Sequence, residues 1–491
     1  MSKQIPAERS IKYMDMTSRR TFLKWAALAA PSAASFGSVS AWGITLDTPP
    51  GKSPQAWRTS EKVRCEQIEA PQWRDGAATG PDAIQLEPAQ QFQELLGFGA
   101  ALTDASCYLL QQMPAAARGA LLKECFGADG LRLSIGRTTI GCSDYSRDAY
   151  TYDDTSLPDP DLQHFSIEHD RQYILPVLRE TQQVNPEIFY FSSPWSPPAW
   201  MKAGDSLLGG SMRSRYFGPY AEYFVKFLEG YAADGVHIRA VTIQNEIDTD
   251  QGGRMPQCMW GQEYEIQFVK EFLGPALQKN SLDTKIWILD HNYNLWGRVA
   301  DELEDPDLSK YVDGVAWHGY FGSPASMMRV HNMFPLKSAY WTEGGSDVTL
   351  PDYTTDWAKW SGTFAGILNN WARSIVTWNL VLDEHGKPNI GPFSCGGVLT
   401  LNSQTQQLTR SGLYWALAHY SRFMQRGARV FATQGELPEV DHIAAQNPDG
   451  SRVLVLTNRA SGGDARQVQC TLGNKSLQVD LPANSVTTLV L

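Results

Sequence analysis

Two stretches of the sequence end a strand-like run in a carboxylate. Residues 241–246 read Val-Thr-Ile-Gln-Asn-Glu, and residues 339–345 read Ala-Tyr-Trp-Thr-Glu-Gly-Gly. Val, Thr and Ile suit a pleated, buried strand, whereas Asn and Glu are poor strand residues and are costly to bury without partners. A strand that ends in this way carries its polar end into a site. The pattern therefore predicts that Glu246 and Glu343 face each other across one site.

A facing pair of carboxyl groups can hydrolyse an acetal. One group must be protonated to assist the leaving oxygen, and the other must be ionised to attack the anomeric carbon. The two groups lie about 5–5.5 Å apart in retaining glycosidases and about 6.5–9.5 Å apart in inverting ones, and the sequence alone gives no distance. Asn245, beside Glu246, is suited to bind the 2-hydroxyl of a sugar.

The elements that must position these residues alternate between strand and helix. Helical stretches lie between the strands, and the clearest are residues 220–231, with one apolar face, and residues 266–273. Eight strands that alternate with helices predict a (β/α)₈ TIM barrel, whose catalytic residues lie at the C-terminal ends of its strands. The predicted strands are residues 95–99, 131–136, 188–192, 238–244, 286–290, 312–318, 339–342 and 374–380.

In this count Glu246 ends the fourth strand and Glu343 ends the seventh. A lone Glu in such a place is better explained as a helix cap or an ion-pair residue. Two of them, each at the end of a buried strand of one barrel, favour catalysis over that explanation.

Both flanks of the barrel carry β patterns. After residue 427 the sequence alternates between inward and outward residues, with turn signals that are typical of an antiparallel module. We expect strands before the barrel to join it in a side β-sandwich. The predicted divisions are a signal peptide (1–41), a linker (42–60), N-terminal strands of the β module (61–90), the barrel (91–426) and the C-terminal part of the sandwich (427–491).

The bulk composition is that of a globular protein with a large core, since 42% of the 491 residues are hydrophobic and 19% are charged. The net charge of −11 argues against nucleic acid as a partner. Arg19 and Arg20 precede an apolar run at residues 25–30, which predicts twin-arginine export to the periplasm or the exterior. The alternative is a basic amphipathic tail. No segment is long enough for a transmembrane helix.

Neither the cysteines nor the histidines form a metal-binding pattern in the sequence. The seven Cys residues are scattered, without a C-x-x-C pair, and we expect most of them to be buried as small hydrophobic residues. Asp290, His291 and His318 lack the His-x-His or H-E-x-x-H spacing of a metal site. The sequence predicts no metal and no cofactor.

Several motifs, in a fixed order, together resemble glycoside hydrolase family 30 and specifically its glucosylceramidase-like branch. The resemblance covers residues 91–425 and, more loosely, the β module. The matching residues are Gly-Phe-Gly-Ala-Ala-Leu-Thr-Asp at 97–104, Arg137, Cys-Ser-Asp-Tyr-Ser at 142–146, Ser-Pro-Trp-Ser-Pro-Pro-Ala-Trp at 193–200, Gln-Asn-Glu at 244–246, His318, Tyr320, Glu343, and Trp-Asn at 378–379.

The resemblance implies a retaining enzyme with Glu246 as acid/base and Glu343 as nucleophile. Arg137 would keep Glu343 ionised, and the pKa of Glu246 should be raised. Where the family usually has Pro after Asn-Glu, this chain has Ile247 and then an acidic segment, so the loop on the aglycone side departs from the family pattern. The resemblance implies that six residues hold or line the sugar: Asp144, Trp195, Asn245, His318, Tyr320 and Trp378.

Two of these residues also have a purely structural interpretation. Trp195, flanked by prolines, is compatible with a rigid packing corner, and His318 is compatible with a hydrogen-bonded core histidine.

The predicted function is hydrolysis of β-glucosides, such as a glucosylceramide-like glycolipid or the ends of an oligosaccharide. The same mechanism on β-1,6-glucan, β-xylosides or β-fucosides is an alternative. A carbohydrate-binding protein without turnover is an alternative of another class. The presence of both Glu residues argues against it, because binding alone has no use for an acid opposite a nucleophile.

Overall fold

The computed structural model describes residues 53–491. The predicted signal peptide and the first part of the predicted linker lie outside these residues. Within residues 53–491, no helix combines the length and the apolar character that crossing a membrane requires. Six of the seven cysteines are buried, Cys395 is half-buried, and all seven are free thiols, as expected for small core residues.

The first four strands of the described chain belong to the side module. They are β1 (Gln55–Thr59), β2 (Glu66–Ile68), β3 (Arg74–Asp75) and β4 (Ala83–Glu94). Two of them depart from the predicted divisions. The segment predicted as a linker, 42–60, contains β1, and β4 extends beyond the predicted boundary at residue 90.

Eight parallel strands then close into a barrel, which confirms the predicted fold class. They are β5 (Gly97–Ala101), β6 (Ile135–Ile140), β7 (Phe189–Pro194), β8 (Ile238–Thr242), β9 (Lys285–Asn292), β10 (Val312–His318), β11 (Ser338–Glu343) and β12 (Ala372–Thr377). A layer of large side chains that includes Phe191, Trp287 and Tyr340 fills the interior. The barrel is therefore a packed core whose chemistry lies at its rim.

The helices pack outside the barrel strands. The predicted helix at 220–231 lies within Phe217–Ala233, whose apolar face is buried. The helices are Asp104–Gln112, Ala115–Phe126, Glu168–Val184, Phe217–Ala233, Gln262–Gln267, Gly274–Lys279, Trp296–Glu304, Pro306–Ser309, Ala325–Met333, Trp357–Leu368 and Gly412–Ser421, with a π-helical turn at Phe268–Leu273.

The ends of two barrel strands determine where the candidate carboxylates lie. Glu343 is the last residue of β11, the seventh barrel strand, as predicted. The fourth barrel strand, β8, ends at Thr242 and not at residue 244, so Glu246 lies in the loop beyond it. One carboxylate is thus held by the sheet itself and the other by a loop.

A separate small sheet follows the last barrel strand in the sequence. It consists of β13 (Val381–Leu382), β14 (Leu399–Leu401) and β15 (Leu408–Arg410). The module then adds β16 (Arg429–Gln434), β17 (Val440–Gln446), β18 (Arg452–Asn458), β19 (Arg466–Leu472), β20 (Lys475–Leu481) and β21 (Ser485–Val490).

The ten strands of this module form one sheet in the order β2-β1-β21-β18-β17-β16-β4-β19-β20-β3. One apolar cluster takes side chains from both ends of that order, such as Ala56 and Leu454 on one side and Val468 and Leu477 on the other. The sheet therefore folds over its own core as a sandwich, and strands from both flanks of the barrel build it, as predicted.

One buried histidine joins the barrel to both flanks of the sandwich. His419 lies in the helix Gly412–Ser421, and its two ring nitrogens are each 2.8 Å from a threonine hydroxyl, Thr488 Oγ1 and Thr59 Oγ1. Burial lowers the pKa of His419 to about 3, so the ring is neutral in the folded protein.

We expect His419 to make stability depend on pH. Below pH 6.5, the ordinary pKa of histidine, the ring binds a proton in the unfolded chain but stays neutral in the folded chain. The free energy of unfolding therefore falls as the pH falls, down to about pH 3. Between pH 7 and pH 4.5, the wild type should lose about 2–3 kcal/mol more of its free energy of unfolding than His419→Gln. Urea denaturation across this range measures the difference. The exposed His237→Gln control should follow the wild type, and parallel curves for all three proteins would refute the assignment.

Candidate active site

Glu343 is held by a cation and a phenol. Its Oε2 accepts a hydrogen bond from the guanidinium of Arg137, and Tyr320 donates its hydroxyl proton to Oε1 at 2.9 Å. Arg137 projects from β6 and is fully buried, while Glu343 is 5% exposed. A guanidinium at hydrogen-bond distance stabilises the ionised carboxylate. Glu343 thus lies between a cation and a hydroxyl donor at the mouth of the barrel.

Asp290, near the end of β9, is the second carboxylate on Arg137 and is completely buried. Burial opposes its charge, but Arg137 and the neighbouring donors outweigh that cost and hold the pKa of Asp290 well below its usual range. Five side chains contact its carboxylate oxygens: Arg137 at 2.8 Å, Ser193 at 2.7 Å, Thr242 at 2.9 Å, Thr342 at 2.7 Å and His318 at 3.0 Å.

Neutral amides and backbone groups hold Glu246. Its own backbone has a φ of 50°, a left-handed conformation that side-chain-bearing residues rarely adopt. The Glu246 amide donates to the Asp290 carbonyl at 2.9 Å. The side-chain amide of Gln257 donates to the carbonyls of Asn245 and Glu246 at 2.7 and 2.9 Å, and Lys202 Nζ donates to the Gln257 carbonyl at 2.7 Å. Together these hydrogen bonds stabilise a backbone conformation that is unfavourable on its own.

Two imidazoles flank the Glu246 carboxylate. His318 Nδ1 is 3.4 Å and His291 Nδ1 is 3.7 Å from its Oε1, while Gln251 donates to Oε2 at 2.7 Å. Burial on its own raises the pKa of Glu246, but these neighbours favour the charged form and lower the pKa below its ordinary value. The expectation of a raised pKa was wrong for the free enzyme, because the sequence did not reveal the two imidazoles beside Glu246.

His318 has the opposite shift. Burial disfavours a charge on its ring, but the carboxylates of Glu343, Asp290 and Glu246 outweigh burial and raise its pKa to about 9. The imidazole lies between the two candidate catalytic groups, with Nδ1 towards Glu246 and Nε2 3.9 Å from Glu343 Oε2. His318 therefore lies between the two candidate catalytic groups, and it is also a completely buried histidine that is hydrogen-bonded to Asp290.

Aromatic rings line one wall of the site. The rings of Trp195 and Trp378 stack with centroids 5.1 Å apart, and Tyr145 meets Trp378 edge-on. The Arg137 guanidinium lies 5.0 Å from the Trp195 ring centroid and 5.3 Å from that of Trp378. Both tryptophans are almost fully buried, so Trp195 is also a packing residue. The wall offers apolar ring surface beside a fixed cation.

Three further predicted residues complete the site. Asn245 accepts a bond from Arg137 at 2.8 Å through its side-chain oxygen, which leaves its NH₂ group to face a ligand. The pKa of Asp144 is raised well above its usual range by burial and by the charges of Glu343 and Glu246. Tyr320 is 46% exposed although its hydroxyl contacts Glu343, so its ring also forms part of the rim.

The structure brings all nine predicted site residues together. The sequence did not indicate the structural role of Asp290. Nor did it indicate the four residues that support Glu246 and its loop, which are His291, Gln251, Gln257 and Lys202. Asp290 carried a usable signal, because it is a charged residue at the end of a strand-like run, as Glu343 is. His291 lies in β9, and Gln251, Gln257 and Lys202 lie outside the strands and α-helices. Nothing in the spacing of these four residues points to Glu246.

Comparisons with known proteins agree on one family. The chain matches the model of the glycosyl hydrolase family 30 TIM-barrel domain over residues 95–424 and that of the family 30 beta sandwich domain over residues 427–489. It is 33% identical over 435 residues to an endo-1,6-beta-D-glucanase of Neurospora crassa, covering 83% of this chain and 87% of that protein. It is 30% identical over 404 residues to the lysosomal acid glucosylceramidase of Mus musculus, covering 77% of each.

Among solved structures, the chain is similar to the endo-beta1,6-glucanase BT3312. The TM-score is 0.80 at 31% identity, and the alignment covers 89% of this chain and 99% of that one.

We expect Asp290→Asn to destabilise the protein. The substitution keeps the shape but removes one anion from a buried pair, and breaking such a pair costs about 3–5 kcal/mol. Denaturant unfolding should therefore show a loss of about that size. Asp307→Asn, which removes the exposed partner of Lys310, is the matched control and should cost much less than Asp290→Asn. Equal losses in the two variants would contradict the assignment of Asp290 as the anchor.

Proposed function

The chain belongs to glycosyl hydrolase family 30, and from this premise we propose that it is an exported, retaining β-glycosidase that hydrolyses β-glucosides. The family consists of glycoside hydrolases, so the substrate is a carbohydrate. One observation carries the proposal. Two buried carboxylates flank the same imidazole, that of His318: Glu246 lies in the loop after strand four of the barrel, and Glu343 ends strand seven.

In the first step of the reaction, Glu343 is the nucleophile. Arg137 and Tyr320 keep it ionised and fix its two oxygens, so one oxygen can attack the anomeric carbon without prior rearrangement. The bond from that carbon to the leaving oxygen breaks as the bond to Glu343 forms. The product is a glycosyl-enzyme ester.

The leaving oxygen takes its proton from Glu246. In the free enzyme Glu246 is in its charged form, and the His318 imidazole 3.4 Å away is the nearest group that can return a proton to it. A bound sugar excludes water and adds no charge, and a drier site favours a neutral Glu246 with a neutral imidazole over the corresponding ion pair. Substrate binding thus produces the acid form of Glu246 that the first step needs.

The second step reverses the roles. Glu246, now an anion, takes a proton from water, whose oxygen attacks the anomeric carbon and releases Glu343. The Asn245 NH₂ group is placed to donate to the 2-hydroxyl of the sugar in both steps, while Trp195 and Trp378 offer ring faces to it.

The relatives support glucose as the sugar at the cleaved bond. Both the fungal and the mouse protein are named for activities on glucosides, and they are about equally similar to this chain. A β-1,6-glucan is the second candidate substrate, because the chain is similar to an endo-1,6-beta-D-glucanase in sequence and to another in structure. We propose export from the twin-arginine pattern at Arg19 and Arg20.

We expect Glu246→Ala to lose most activity on poor leaving groups. A general acid contributes about 10²–10⁴-fold, and an alkyl or sugar aglycone needs that proton, whereas dinitrophenolate leaves unaided. The dinitrophenyl β-glucoside should give a burst of dinitrophenolate and then slow turnover, because the second step still needs a base. Stopped-flow absorbance measures the burst.

Glu343→Gln is the matched control for this experiment. It removes the nucleophile, so it should be inactive on both substrates and show no burst. A burst in Glu343→Gln would reverse the assignment of the two residues. Equal losses on both substrates in Glu246→Ala, without a burst, would mean that the acid is another residue.

A substrate panel tests the sugar and separates the candidates. We expect the purified protein to release aryl β-glucoside faster than aryl β-xyloside or β-fucoside, with a product of retained configuration by NMR. Comparing β-1,6-glucan with glucosylceramide in detergent then ranks the two glucoside substrates. A preference for xyloside or fucoside would refute the glucoside proposal, and binding without hydrolysis of any of these would identify a carbohydrate-binding protein.

A further inference from the structure

Two buried histidines present an unbonded ring nitrogen to the same carboxylate oxygen. His318 Nδ1 and His291 Nδ1 lie 3.4 and 3.7 Å from Glu246 Oε1. Among the described residues, neither Nδ1 atom has an aligned hydrogen-bond partner. Both rings are at least nine-tenths buried, so water does not readily satisfy these nitrogens either. Two buried ring nitrogens that face one carboxylate oxygen without an aligned hydrogen bond need an explanation.

The opposite nitrogen of each ring is fixed by a carboxylate. His318 Nε2 lies 3.0 Å from Asp290 Oδ1, and His291 Nε2 lies 2.8 Å from Asp248 Oδ1. In a neutral ring, a carboxylate behind one ring nitrogen holds the proton there and leaves the other nitrogen with its lone pair outward. This arrangement orients metal-bound histidines in many proteins and strengthens them as ligands. At His318, an ion bound to Nδ1 would displace the proton that the surrounding carboxylates favour on the ring.

The three facing atoms have the spacing that a small ion requires. Glu246 Oε1 and the two Nδ1 atoms all lie within 4.8 Å of one another. Two ligands at about 2.1 Å from a tetrahedral zinc ion are roughly 3.4 Å apart, close to both measured distances to Oε1. Two imidazoles and one carboxylate form a common three-ligand set for zinc, with a fourth position left open.

We propose that Glu246, His291 and His318 bind a divalent transition ion of the zinc class. The prediction of no metal site rested on the absence of sequence spacings typical of metal sites, and these three ligands come from three different strand ends that only the barrel brings together. Imidazole ligands favour zinc, copper or nickel over magnesium and calcium, which prefer oxygen ligands throughout. The nearby carboxylates of Asp248, Asp290 and Glu343 favour a dication further.

The bound ion would inhibit hydrolysis. It would occupy Glu246 Oε1, so this carboxylate could neither donate a proton to the leaving oxygen nor accept one from water. This consequence rests on the proposed function, whereas ion binding itself does not.

Calorimetry with the full chain and ZnCl₂ tests the binding. We expect one zinc ion per chain, a loss of affinity of about 10-fold or more in His291→Gln, and a loss of about 10–100-fold in Asp248→Asn, which only removes the carboxylate behind the ring. Cobalt absorption bands of a four-coordinate site should appear in the wild type and fade in both variants. Magnesium should give no heat.

His164→Gln is the matched control, because Asp153, Asp159 and His164 form a second cluster of possible ligands elsewhere on the chain. It should bind zinc as the wild type does. Loss of zinc binding in this variant, or unchanged affinity in both His291→Gln and Asp248→Asn, overturns the proposal.

The inhibitory consequence has a separate readout. Zinc should slow hydrolysis of an aryl β-glucoside at least 10-fold at saturation, and EDTA should restore the rate. Zinc binding without inhibition would overturn the claim that the ion occupies the acid. A wild type that binds zinc but hydrolyses none of the substrates would refute the proposed function and leave the ion site intact.

Discussion

The active site depends on one buried guanidinium. Arg137 is removed from water at a cost of several kcal/mol, which hydrogen bonds and opposite charges must repay. Two carboxylates, Asp290 and Glu343, and the Asn245 side-chain oxygen share its donors. Because a guanidinium presents its donors in a rigid planar fork, these partners take fixed positions relative to one another. The strands that carry them are therefore coupled electrostatically as well as by their backbone ladders.

Different interactions hold the two candidate catalytic residues in place. Glu343 ends a strand and is held by charge, whereas Glu246 lies in a loop and is held by neutral amides, chiefly that of Gln257. Lys202 contributes a buried ammonium to this loop, and burial lowers its pKa to about 8. A nucleophile needs one protonation state, while an acid/base must change state twice in each cycle. The His318 imidazole beside the Glu246 carboxylate can itself lose and regain a proton, which fits that requirement.

The sequence predicted the barrel well, because buried parallel strands are apolar runs at regular intervals and their polar ends are conspicuous. The predicted bounds of β10, 312–318, are those observed, and Glu343 was predicted at the end of its strand. Strand β1 was missed, because five residues next to a segment rich in Pro, Ser and Gly carry no pattern until a partner strand buries them. The lowered pKa of Glu246 was also missed, because the imidazoles of His318 and His291 approach Glu246 only when strands four, five and six lie side by side. Long-range juxtaposition, which leaves no local signal, accounts for both failures.

The order of strands in the sandwich also constrains how the protein can be made. Strand β1 pairs with β21, and β4 pairs with β16, so the two flanks of the barrel are neighbours in space although more than 300 residues separate them. While a ribosome is still adding the barrel, β1 lacks β21 and β4 lacks β16, so each strand has an exposed edge. The sandwich can close only after residues 485–490 have emerged. The N-terminal strands must therefore wait for their C-terminal partners throughout synthesis of the barrel, and during that time their open edges are sites where the chain can aggregate.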